Sequence, residues 1–270
     1  MKVKIFFLMV MTLMSFMIAG CEQTPQNDAT SNQSNGKIII GIDEEFPPFG
    51  FKDDNGNIVG FDVELARETM HKMGREVEFK PIDWDNKENE LNTNAIDMIW
   101  NGLEITEDRK QYMIFSKPYM YSGFIVFARS DKADTITNKG SLVGLNVGIQ
   151  GGSSAEMYIN NDNELRSHIK NLKLYKDNTA MIDALLNSEI DAMIADETNG
   201  LYYIFKNNLG DKIEALNIAI GEKGKLAIGF RKKDISLLQE VQSALDEVIK
   251  DGTAERISKR WFGKDMVLQN

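Results

Sequence analysis

Cysteine and histidine are almost absent from this chain of 270 residues, which has one cysteine and two histidines. A single cysteine cannot form a disulfide within the chain, and so few Cys and His residues do not make a Cys/His zinc cluster. Basic residues are in the minority, with 31 Lys and Arg against 41 Asp and Glu and a formal net charge of −10. This balance argues against a nucleic-acid-binding protein, because phosphate binding needs a basic surface.

Sequence motifs of the common enzyme classes are also missing. The chain has no G-x-S-x-G nucleophile elbow, no Walker loop, no H-E-x-x-H motif and no G-x-G-x-x-G loop. What remains is a composition with 42% hydrophobic and 27% charged residues, which is typical of a globular protein. At roughly 150 residues per domain, the length allows one large domain or two modest ones.

The first 20 residues have the pattern of a targeting segment. Lys2 and Lys4 precede an apolar run at 5–18 that only two hydroxyl residues interrupt. A run of about 14 residues is too short for a membrane-spanning helix, which needs about 20, but it is typical of a signal peptide. We therefore predict a signal peptide at 1–20.

A lipid-attachment motif follows this segment. Ile18-Ala19-Gly20-Cys21 resembles the bacterial lipobox, in which the cysteine is lipidated and becomes the mature N-terminus, and Cys21 is the only cysteine of the chain. Residues 22–36 are polar and rich in Asn, Gln, Ser and Thr, so they cannot bury enough apolar surface to fold by themselves. We predict a lipidated Cys21 with a flexible tether at 21–36, and a folded body that starts near Lys37.

Strand and helix signals alternate along the rest of the chain. Short apolar segments predict buried strands, at 37–42, 76–79, 96–100, 123–128, 145–149, 190–195 and 227–230. A helix is predicted from Asp62, as its N-cap, to a stop at Gly74. Further helices are predicted near 154–160, 178–186, 197–206 and 234–250. This alternation predicts an α/β architecture with mainly parallel, buried strands.

Two strand signals lie where the chain can cross between two lobes. The segments 123–129 and 225–231 flank a central block of about 100 residues that has its own strand–helix alternation. If both segments cross, lobe 1 consists of 37–126 and 226–270, and lobe 2 consists of 127–225. The cleft between two such lobes is the natural place for a ligand.

Three groups of motifs occur in order along the chain: GIDEEFPPF at 41–49 with GFDV at 60–63, NGLEITEDR at 101–109 with FSKPY at 115–119, and 252–263 from Gly-Thr to Trp-Phe-Gly. Together with 147–154 and 190–192, they resemble the extracellular solute-binding proteins of polar amino-acid ABC transporters, solute-binding family 3, over essentially all of 37–264. The resemblance implies a two-lobe, periplasmic-binding-protein-like fold of type II with two crossing hinge strands. It also implies capture of an amino acid outside the cell and its delivery to ABC transporter permease subunits.

The resemblance further implies the residues that hold the backbone of an amino-acid ligand. Arg109 matches the residue that takes the α-carboxylate, for which a planar guanidinium is suited. Backbone groups at Gly102 and the hydroxyl of Ser154 match positions that complete the contacts to the carboxylate and the amino group. Asp196 matches the carboxylate that accepts the α-ammonium, although its sequence context alone would make it a helix N-cap.

Other matched positions surround the ligand side chain. Phe46 and Trp84 match the aromatic pair that flanks it, although either residue can simply belong to the core. Asp43 matches a position at the distal end of the side chain, and Gln150 lies near the same region. The complete predicted set is Asp43, Phe46, Trp84, Asn101, Gly102, Glu104, Arg109, Gln150, Ser154 and Asp196.

Glu104 departs from the family, which usually has Ser or Thr at this position. If Glu104 faces the cleft, Asp43, Glu104 and Asp196 carry three negative charges against one positive charge on Arg109. Because unpaired buried charge is costly, this count favours a cationic ligand such as lysine, arginine, ornithine or protonated histidine. If Glu104 turns outward or is paired, or if one carboxylate is protonated, a neutral polar or sulfur-containing amino acid such as glutamine or cystine fits as well.

Two other classes of function stay open at this point. Some relatives on this scaffold resemble cyclohexadienyl dehydratases, but such an enzyme needs a general acid and would favour a more basic pocket. A receptor sensor domain or a surface antigen is the third possibility. We expect a binding protein without catalytic residues, cofactor or metal, monomeric, exported, attached to the membrane through its lipid, and without a nucleic-acid partner.

Overall fold

The computed structural model describes residues 36–269. Its strands are β1 (Ile38–Ile42), β2 (Glu45–Phe46), β3 (Gly50–Lys52), β4 (Ile58–Val59), β5 (Val77–Pro81), β6 (Met98–Ile99), β7 (Met113–Phe115), β8 (Met120–Arg129), β9 (Asn146–Gln150), β10 (Asn171–Tyr175), β11 (Ala192–Asp196), β12 (Ile213–Leu226) and β13 (Gly229–Arg231). Its helices are α1 (Phe61–Lys72), α2 (Lys87–Asn92), α3 (Ser154–Asn161), α4 (Asn163–His168), α5 (Asn178–Leu186), α6 (Glu197–Lys206), α7 (Ile235–Lys250) and α8 (Thr253–Phe262). The predicted signal peptide, the lipidated Cys21 and most of the tether lie outside the described residues.

Two five-stranded sheets organise these elements, with the strand orders β5-β1-β6-β13-β7 and β10-β9-β11-β8-β12. In each sheet the first three strands run parallel, and the remaining two pairings are antiparallel. We call the part built on the first sheet lobe 1 and the part built on the second sheet lobe 2. The predicted α/β, two-lobe class is confirmed, but the strands are mixed in direction rather than mainly parallel.

Helices cover the sheets and close their apolar cores. In lobe 1, residues such as Ile40 of β1, Leu65 of α1 and Val248 of α7 share one buried cluster. In lobe 2, the neighbouring residues Val126 and Phe127 of β8 belong to two different clusters. Successive residues of a strand point to opposite faces of the sheet, so both faces of the second sheet are covered. This double coverage explains the continuous apolar runs at 124–128 in β8 and 192–195 in β11.

Strands β8 and β12 connect the two lobes. They pair antiparallel with each other along their length, with irregularities in the register. Met120 and Leu226, at one end of this ribbon, are part of the core of lobe 1. Val126 and Ile220, further along the two strands, are part of a core of lobe 2. The chain therefore passes from one lobe to the other twice, on two adjacent strands.

The prediction that 225–231 forms the second crossing strand is wrong. The crossing strand is Ile213–Leu226, and Gly229–Arg231 is a separate strand in the sheet of lobe 1. β12 alternates between buried and exposed residues, so it lacks the apolar run that identifies a strand covered on both faces. The apolar segment after it is buried, but inside lobe 1.

The prediction that Asp62 is the N-cap of the first helix is also wrong. The helix begins at Phe61 with Gly60 as its N-cap, and Asp62 is fully buried in the first turn. Its Oδ2 accepts hydrogen bonds from the backbone N–H of Gly102, at 2.6 Å, and from the hydroxyl of Tyr119, at 2.9 Å. Asp62 therefore fixes the loop after β6, which borders the candidate site.

Candidate ligand site between the lobes

A small cavity of about 30 Å³ lies between the two lobes. Eight of the ten predicted site residues line it, together with Phe124 and Ser153, namely Asp43, Phe46, Trp84, Asn101, Gly102, Arg109, Gln150 and Ser154. The other two, Glu104 and Asp196, are buried but are not among the lining residues. The structure thus brings most of the predicted set together at one place, with contributions from both lobes.

The ends of the strands position these side chains. Asp43 directly follows β1, and Asn101 and Gly102 follow β6, its parallel neighbour in lobe 1. Gln150 and Asp196 are the last residues of β9 and β11, which are parallel neighbours in lobe 2. The carboxyl ends of parallel strands lie at the same edge of a sheet, where ligands bind in open α/β folds. Each lobe therefore presents such an edge to the cavity.

Arg109 bridges the lobes beside the cavity. Its side chain is buried, and its Nη1 donates to the carbonyl of Glu104 in lobe 1 at 2.9 Å. In lobe 2, Nη1 also donates to Ser154 Oγ at 3.2 Å and Nη2 donates to the carbonyl of Gly152 at 3.0 Å. A guanidinium at this junction can bind a carboxylate through two parallel hydrogen bonds. The position fits the predicted role of Arg109 toward an α-carboxylate.

Asp43 lies in the cavity wall and is only 8% exposed. Its Oδ1 accepts from the backbone N–H of Glu45 at 3.0 Å, and its Oδ2 accepts from Gln150 Nε2 at 2.6 Å. Burial raises the pKa of Asp43 to about 6, and these two hydrogen bonds oppose that rise. The carboxylates of Asp177 and Glu45 also act to raise the pKa. Within residues 36–269, Asp43 has no cationic partner at ion-pair distance, so a positive group placed beside it would be stabilised.

Asp196 caps helix α6, as its sequence context suggested. Its Oδ1 accepts from the backbone N–H of Asn199 at 3.0 Å, and its Oδ2 accepts from the hydroxyl of Ser122. Burial raises the pKa of Asp196 to about 6, against the lowering effect of its hydrogen bonds. An α-ammonium bound here would have to share oxygens that already hold the start of α6.

Glu104 packs against the hinge strands rather than the cavity. Its Oε1 accepts from the hydroxyl of Tyr158 at 2.5 Å. A Cβ atom on Gly224 of β12 would collide with the same carboxylate, so the two residues are in close contact. Burial and the adjacent Glu104 together raise the pKa of Tyr158. Glu104 therefore adds no carboxylate to the cavity wall. The count of three negative charges against the one positive charge of Arg109 does not hold for this wall.

Lys87 is a buried cation outside the predicted set of site residues. It begins α2, is 2% exposed, and its Nζ donates to the carbonyls of Trp84 at 2.9 Å and Gly152 at 2.8 Å. The same Nζ lies 5.1 Å from the centre of the Trp84 ring. Burial, and next the charge of Arg109, lower the pKa of Lys87 to about 8. Its sequence signal is weak, a lysine three residues after a candidate site tryptophan in a strongly polar stretch.

The aromatic residues of the cavity also belong to the packing around it. Phe46 stacks on Phe49 with ring centres 5.3 Å apart, and Trp84 is part of an apolar cluster in lobe 1. The side-chain amide of Asn101 accepts from the backbone N–H of Asp43 at 2.7 Å, while its Nδ2 has no partner within the described residues. The backbone N–H of Gly102 already donates a hydrogen bond to Asp62 Oδ2. Phe46 and Trp84 thus serve the core and the cavity wall at once.

A wider opening of about 490 Å³ adjoins the small cavity and shares Arg109, Ser153 and Ser154 with it. Lys87 also lines this opening. Its volume is in the range of small-molecule sites in proteins.

Across residues 36–269, no helix has the length and apolar character needed to cross a membrane.

The profile of bacterial extracellular solute-binding proteins, family 3, matches residues 38–264 of this chain. Among curated proteins, the L-cystine-binding protein TcyJ of Escherichia coli (strain K12) is 30% identical over 236 residues, which cover 87% of this chain and 85% of that protein. The similarity therefore extends over both lobes and the hinge.

Solved structures of binding proteins also resemble this chain over most of its length. A substrate-binding protein of an ABC uptake transporter from Streptococcus pneumoniae, with bound histidine, superposes with a TM-score of 0.83 at 32% identity, covering 90% of this chain and 99% of that one. The ancestral amino acid-binding protein AncCDT-1, described as a precursor of cyclohexadienyl dehydratase, has a TM-score of 0.76 at 29% identity, covering 86% and 97%. Both resemble this chain across the two lobes.

Proposed function

The chain belongs to the bacterial extracellular solute-binding proteins, family 3, and from this we propose that it captures an amino acid between its lobes and delivers it to an ABC transporter permease. The observation that carries the proposal is the position of Arg109. Its guanidinium lies beside the interlobe cavity and donates to residues of both lobes. A ligand carboxylate at this point would contact both lobes at once and so favour their closed arrangement.

The proposed site holds the two charged ends of an amino acid on different groups. Arg109 and the hydroxyl of Ser154 bind the α-carboxylate, and Asp196 accepts the α-ammonium. Phe46 and Trp84 flank the side chain, which extends toward Asp43. The predicted boundary at 225/226 remains our proposal for the return to lobe 1. At the other boundary, predicted at 126/127, Val126 already packs in a core of lobe 2.

We propose a cationic side chain for the ligand, with Asp43 as the residue that recognises it. Asp43 is a buried carboxylate without a cationic partner in the described residues, and Asp177 and Glu45 increase the negative potential around it. Since Glu104 is held by Tyr158, Asp43 carries this proposal alone. The relative from Streptococcus pneumoniae with bound histidine is consistent with such a ligand.

A neutral ligand is the second candidate, and Lys87 is the observation that favours it. Lys87 and Arg109 equal in number the two aspartates proposed to meet the ligand, Asp43 and Asp196. Of the other nearby carboxylates, Glu88 is partly exposed 3.7 Å from Lys87, and Glu104 is held by Tyr158. A net-neutral amino acid then leaves no excess charge buried. The cystine-binding relative fits this alternative.

Calorimetric titration with a panel of amino acids tests both the function and the ligand class. The decisive pair is L-arginine and L-citrulline, which have nearly the same shape and differ in one charge. Tighter binding of arginine supports recognition by Asp43, and tighter binding of citrulline supports the neutral alternative. If no amino acid of the panel, L-cystine included, binds below millimolar concentration, the proposed function is wrong.

We propose binding without catalysis. The relatives compared above are described as binding proteins, and one of them as a precursor of a dehydratase. Incubation with prephenate or arogenate, followed by chromatography, is expected to return the substrate unchanged. Enzyme-dependent formation of phenylpyruvate or phenylalanine would contradict this part of the proposal.

We also propose that the protein is a monomer anchored to the outer face of the cell membrane through a lipid on Cys21. The lipobox-like sequence and the polar segment at 22–36 support this. In cells, the Cys21→Ser variant is expected to leave the membrane fraction or to remain as an uncleaved precursor, whereas the unchanged chain stays with the membrane. A membrane-bound protein whose N-terminal peptide carries no lipid mass would contradict the anchor.

A further inference from the structure

Lys87 lies outside the wall of the small interlobe cavity, but it is one of the most buried charged residues in the described chain. Burying an ammonium is costly unless hydrogen-bond acceptors replace its water. The carbonyl of Trp84 and, at 3.7 Å, the carboxylate of Glu88 come from its own lobe, and the carbonyl of Gly152 comes from lobe 2. The set of acceptors around this lysine is therefore complete only when the two lobes are together.

The carbonyl of Gly152 is a fixed acceptor rather than a mobile one. The residue lies in the turn between β9 and α3 with a φ of 66°, and its N–H donates to Glu156 Oε2 at 2.8 Å. Arg109 donates to the same carbonyl at 3.0 Å. Two cations of lobe 1 thus converge on one carbonyl of lobe 2.

We propose that Lys87 is a positioning residue that clasps the lobes through Gly152 and holds the closed arrangement in which Arg109 meets Gly152 and Ser154. The clasp rests on interlobe geometry alone, and only its effect on ligand affinity rests on the proposed function. The charged groups around the ammonium are Arg109, Glu88 at 3.7 Å and Asp85.

The clasp acts on affinity through the closed population. When a binding-competent state is only partly populated, the apparent dissociation constant rises as that population falls. Opening the lobes removes the Gly152 carbonyl from both Lys87 and Arg109, and water must replace it. A variant without the ammonium loses one of these two interlobe bonds in the closed state, so its equilibrium shifts toward the open state.

The clasp can be tested without any ligand. In the full chain carrying Cys21→Ser, spin labels at Gln111 in lobe 1 and Asn160 in lobe 2, both exposed, report the distance between the lobes. We expect Lys87→Met to shift the distance distribution to longer values. Lys80→Met is the matched control, because Lys80 is a lobe-1 lysine in a partly exposed ion pair with Glu90. If the distributions of the unchanged chain and Lys87→Met coincide, the clasp is wrong.

Ligand kinetics give a second readout that a loss of general stability would not produce. With L-arginine or L-citrulline, whichever binds more tightly, Lys87→Met is expected to raise the dissociation rate roughly tenfold, the usual effect of losing one hydrogen bond to a charged group. The association rate is expected to change little. An unchanged dissociation rate would contradict the proposal.

If Lys87→Met does not fold, the unchanged protein still decides the question. Mass spectrometry after brief acetylation is expected to show slower modification of Lys87 than of Lys80, and further slowing of Lys87 when L-arginine or L-citrulline is bound. Equal rates at the two lysines would overturn the clasp. If no amino acid binds but Lys87→Met opens the lobes, the clasp stands and the proposed function fails.

Discussion

At the scale of single residues, three buried aspartates define the chemistry around the interlobe cavity. Asp43 lies in its wall, Asp62 holds the loop at Gly102, and Asp196 caps α6. Burial raises the pKa of Asp43 and Asp196 to about 6 and that of Asp62 to about 7. None of the three is balanced by an ion pair within the described residues, so they respond to pH together.

Stability is expected to fall as the pH rises from 5 to 7.5. A carboxyl group whose pKa is higher in the folded than in the unfolded state contributes stability below its unfolded pKa, and this contribution is lost as the pH rises through the folded pKa. The asparagine of Asp62→Asn cannot ionise. Between pH 5 and 7.5 the free energy of unfolding of this variant, measured with urea, should therefore fall by roughly 1–3 kcal/mol less than that of the unchanged chain. Asp53→Asn is the control, because hydrogen bonds lower the pKa of exposed Asp53. Equal pH slopes for Asp62→Asn and the unchanged chain would exclude this role.

Asp43→Asn is expected to weaken binding of L-arginine at pH 7.5 by about tenfold or more, because it removes the charge that faces the ligand cation. Binding of L-citrulline should change much less. In the unchanged protein, lowering the pH through about 6 protonates both Asp43 and Asp196, the proposed partner of the α-ammonium. Both ligands should therefore bind more weakly at low pH, and arginine should lose more affinity than citrulline. Calorimetry at pH 7.5 and pH 5 measures both effects, and parallel losses for the two ligands would argue against charge recognition by Asp43.

Glu104 and Lys87 show which parts of the site the sequence could not predict. Eight of the ten residues chosen from motif positions line the cavity, because the motifs follow the ends of the central strands. The direction of Glu104 depends on Tyr158 and Gly224, which are far from it in sequence. Lys87 is buried by a carbonyl of the other lobe, a contact that no local pattern encodes. Charge counts made from sequence alone are therefore unreliable at an interface between lobes.

At the scale of elements, strand prediction succeeded where both faces of a strand are covered. β1, β9 and β11 are short apolar runs and were predicted within two residues at either end. β10 and β12 were missed, because β10 has no buried residue and the buried residues of β12 are separated by exposed ones. Period-two patterns in short polar segments are weak signals. The missed β12 is one of the two strands that join the lobes, so only the other hinge strand, β8, was predicted.

The turn between β9 and α3 should tolerate no side chain at Gly152. Its φ of 66° already disfavours a Cβ atom, which would also lie 2.9 Å from the Cα of Asp85 in lobe 1. Gly152→Ala is expected to cost about 1–2 kcal/mol of stability from backbone strain and, in addition, to weaken ligand binding by hindering closure. Gly144→Ala is the matched control, since Gly144 has a φ of 78° in the same lobe and open space at the Cβ position.

Thermal unfolding and calorimetry of the two alanine variants separate strain from closure. Both variants should lose similar stability, but only Gly152→Ala should lose affinity, by roughly tenfold or more. If Gly144→Ala weakens binding as much as Gly152→Ala, the effect comes from the stability of lobe 2 and not from its approach to lobe 1.

At the scale of the whole molecule, two lobes with the same order of strand directions meet along a cleft and are joined by one two-stranded ribbon. Besides the bonds of Arg109 and Lys87, a second set of interlobe hydrogen bonds connects α6 to the segment after β1. Tyr203 donates from its hydroxyl to the carbonyl of Glu45 at 3.0 Å, and Asn199 donates to the carbonyl of Pro47. These bonds involve backbone acceptors of lobe 1 and require no ligand atom.

Tyr203→Phe tests whether this second set stabilises closure. The substitution keeps the ring and removes the interlobe hydrogen bond to Glu45, together with the bond that Thr179 Oγ1 donates to the Tyr203 hydroxyl within lobe 2 at 3.1 Å. One neutral hydrogen bond between the lobes contributes about 1 kcal/mol, so affinity should fall about fivefold through a faster dissociation rate. Tyr202→Phe is the control on the same helix, because Tyr202 meets lobe 1 through its ring on Phe51, at 5.6 Å between centres. Since both sets of bonds act on the same closing motion, the effects of Tyr203→Phe and Lys87→Met on the dissociation rate should multiply in the double variant. A double variant no faster than Lys87→Met alone would mean that the bond from Tyr203 does not help to hold the lobes closed.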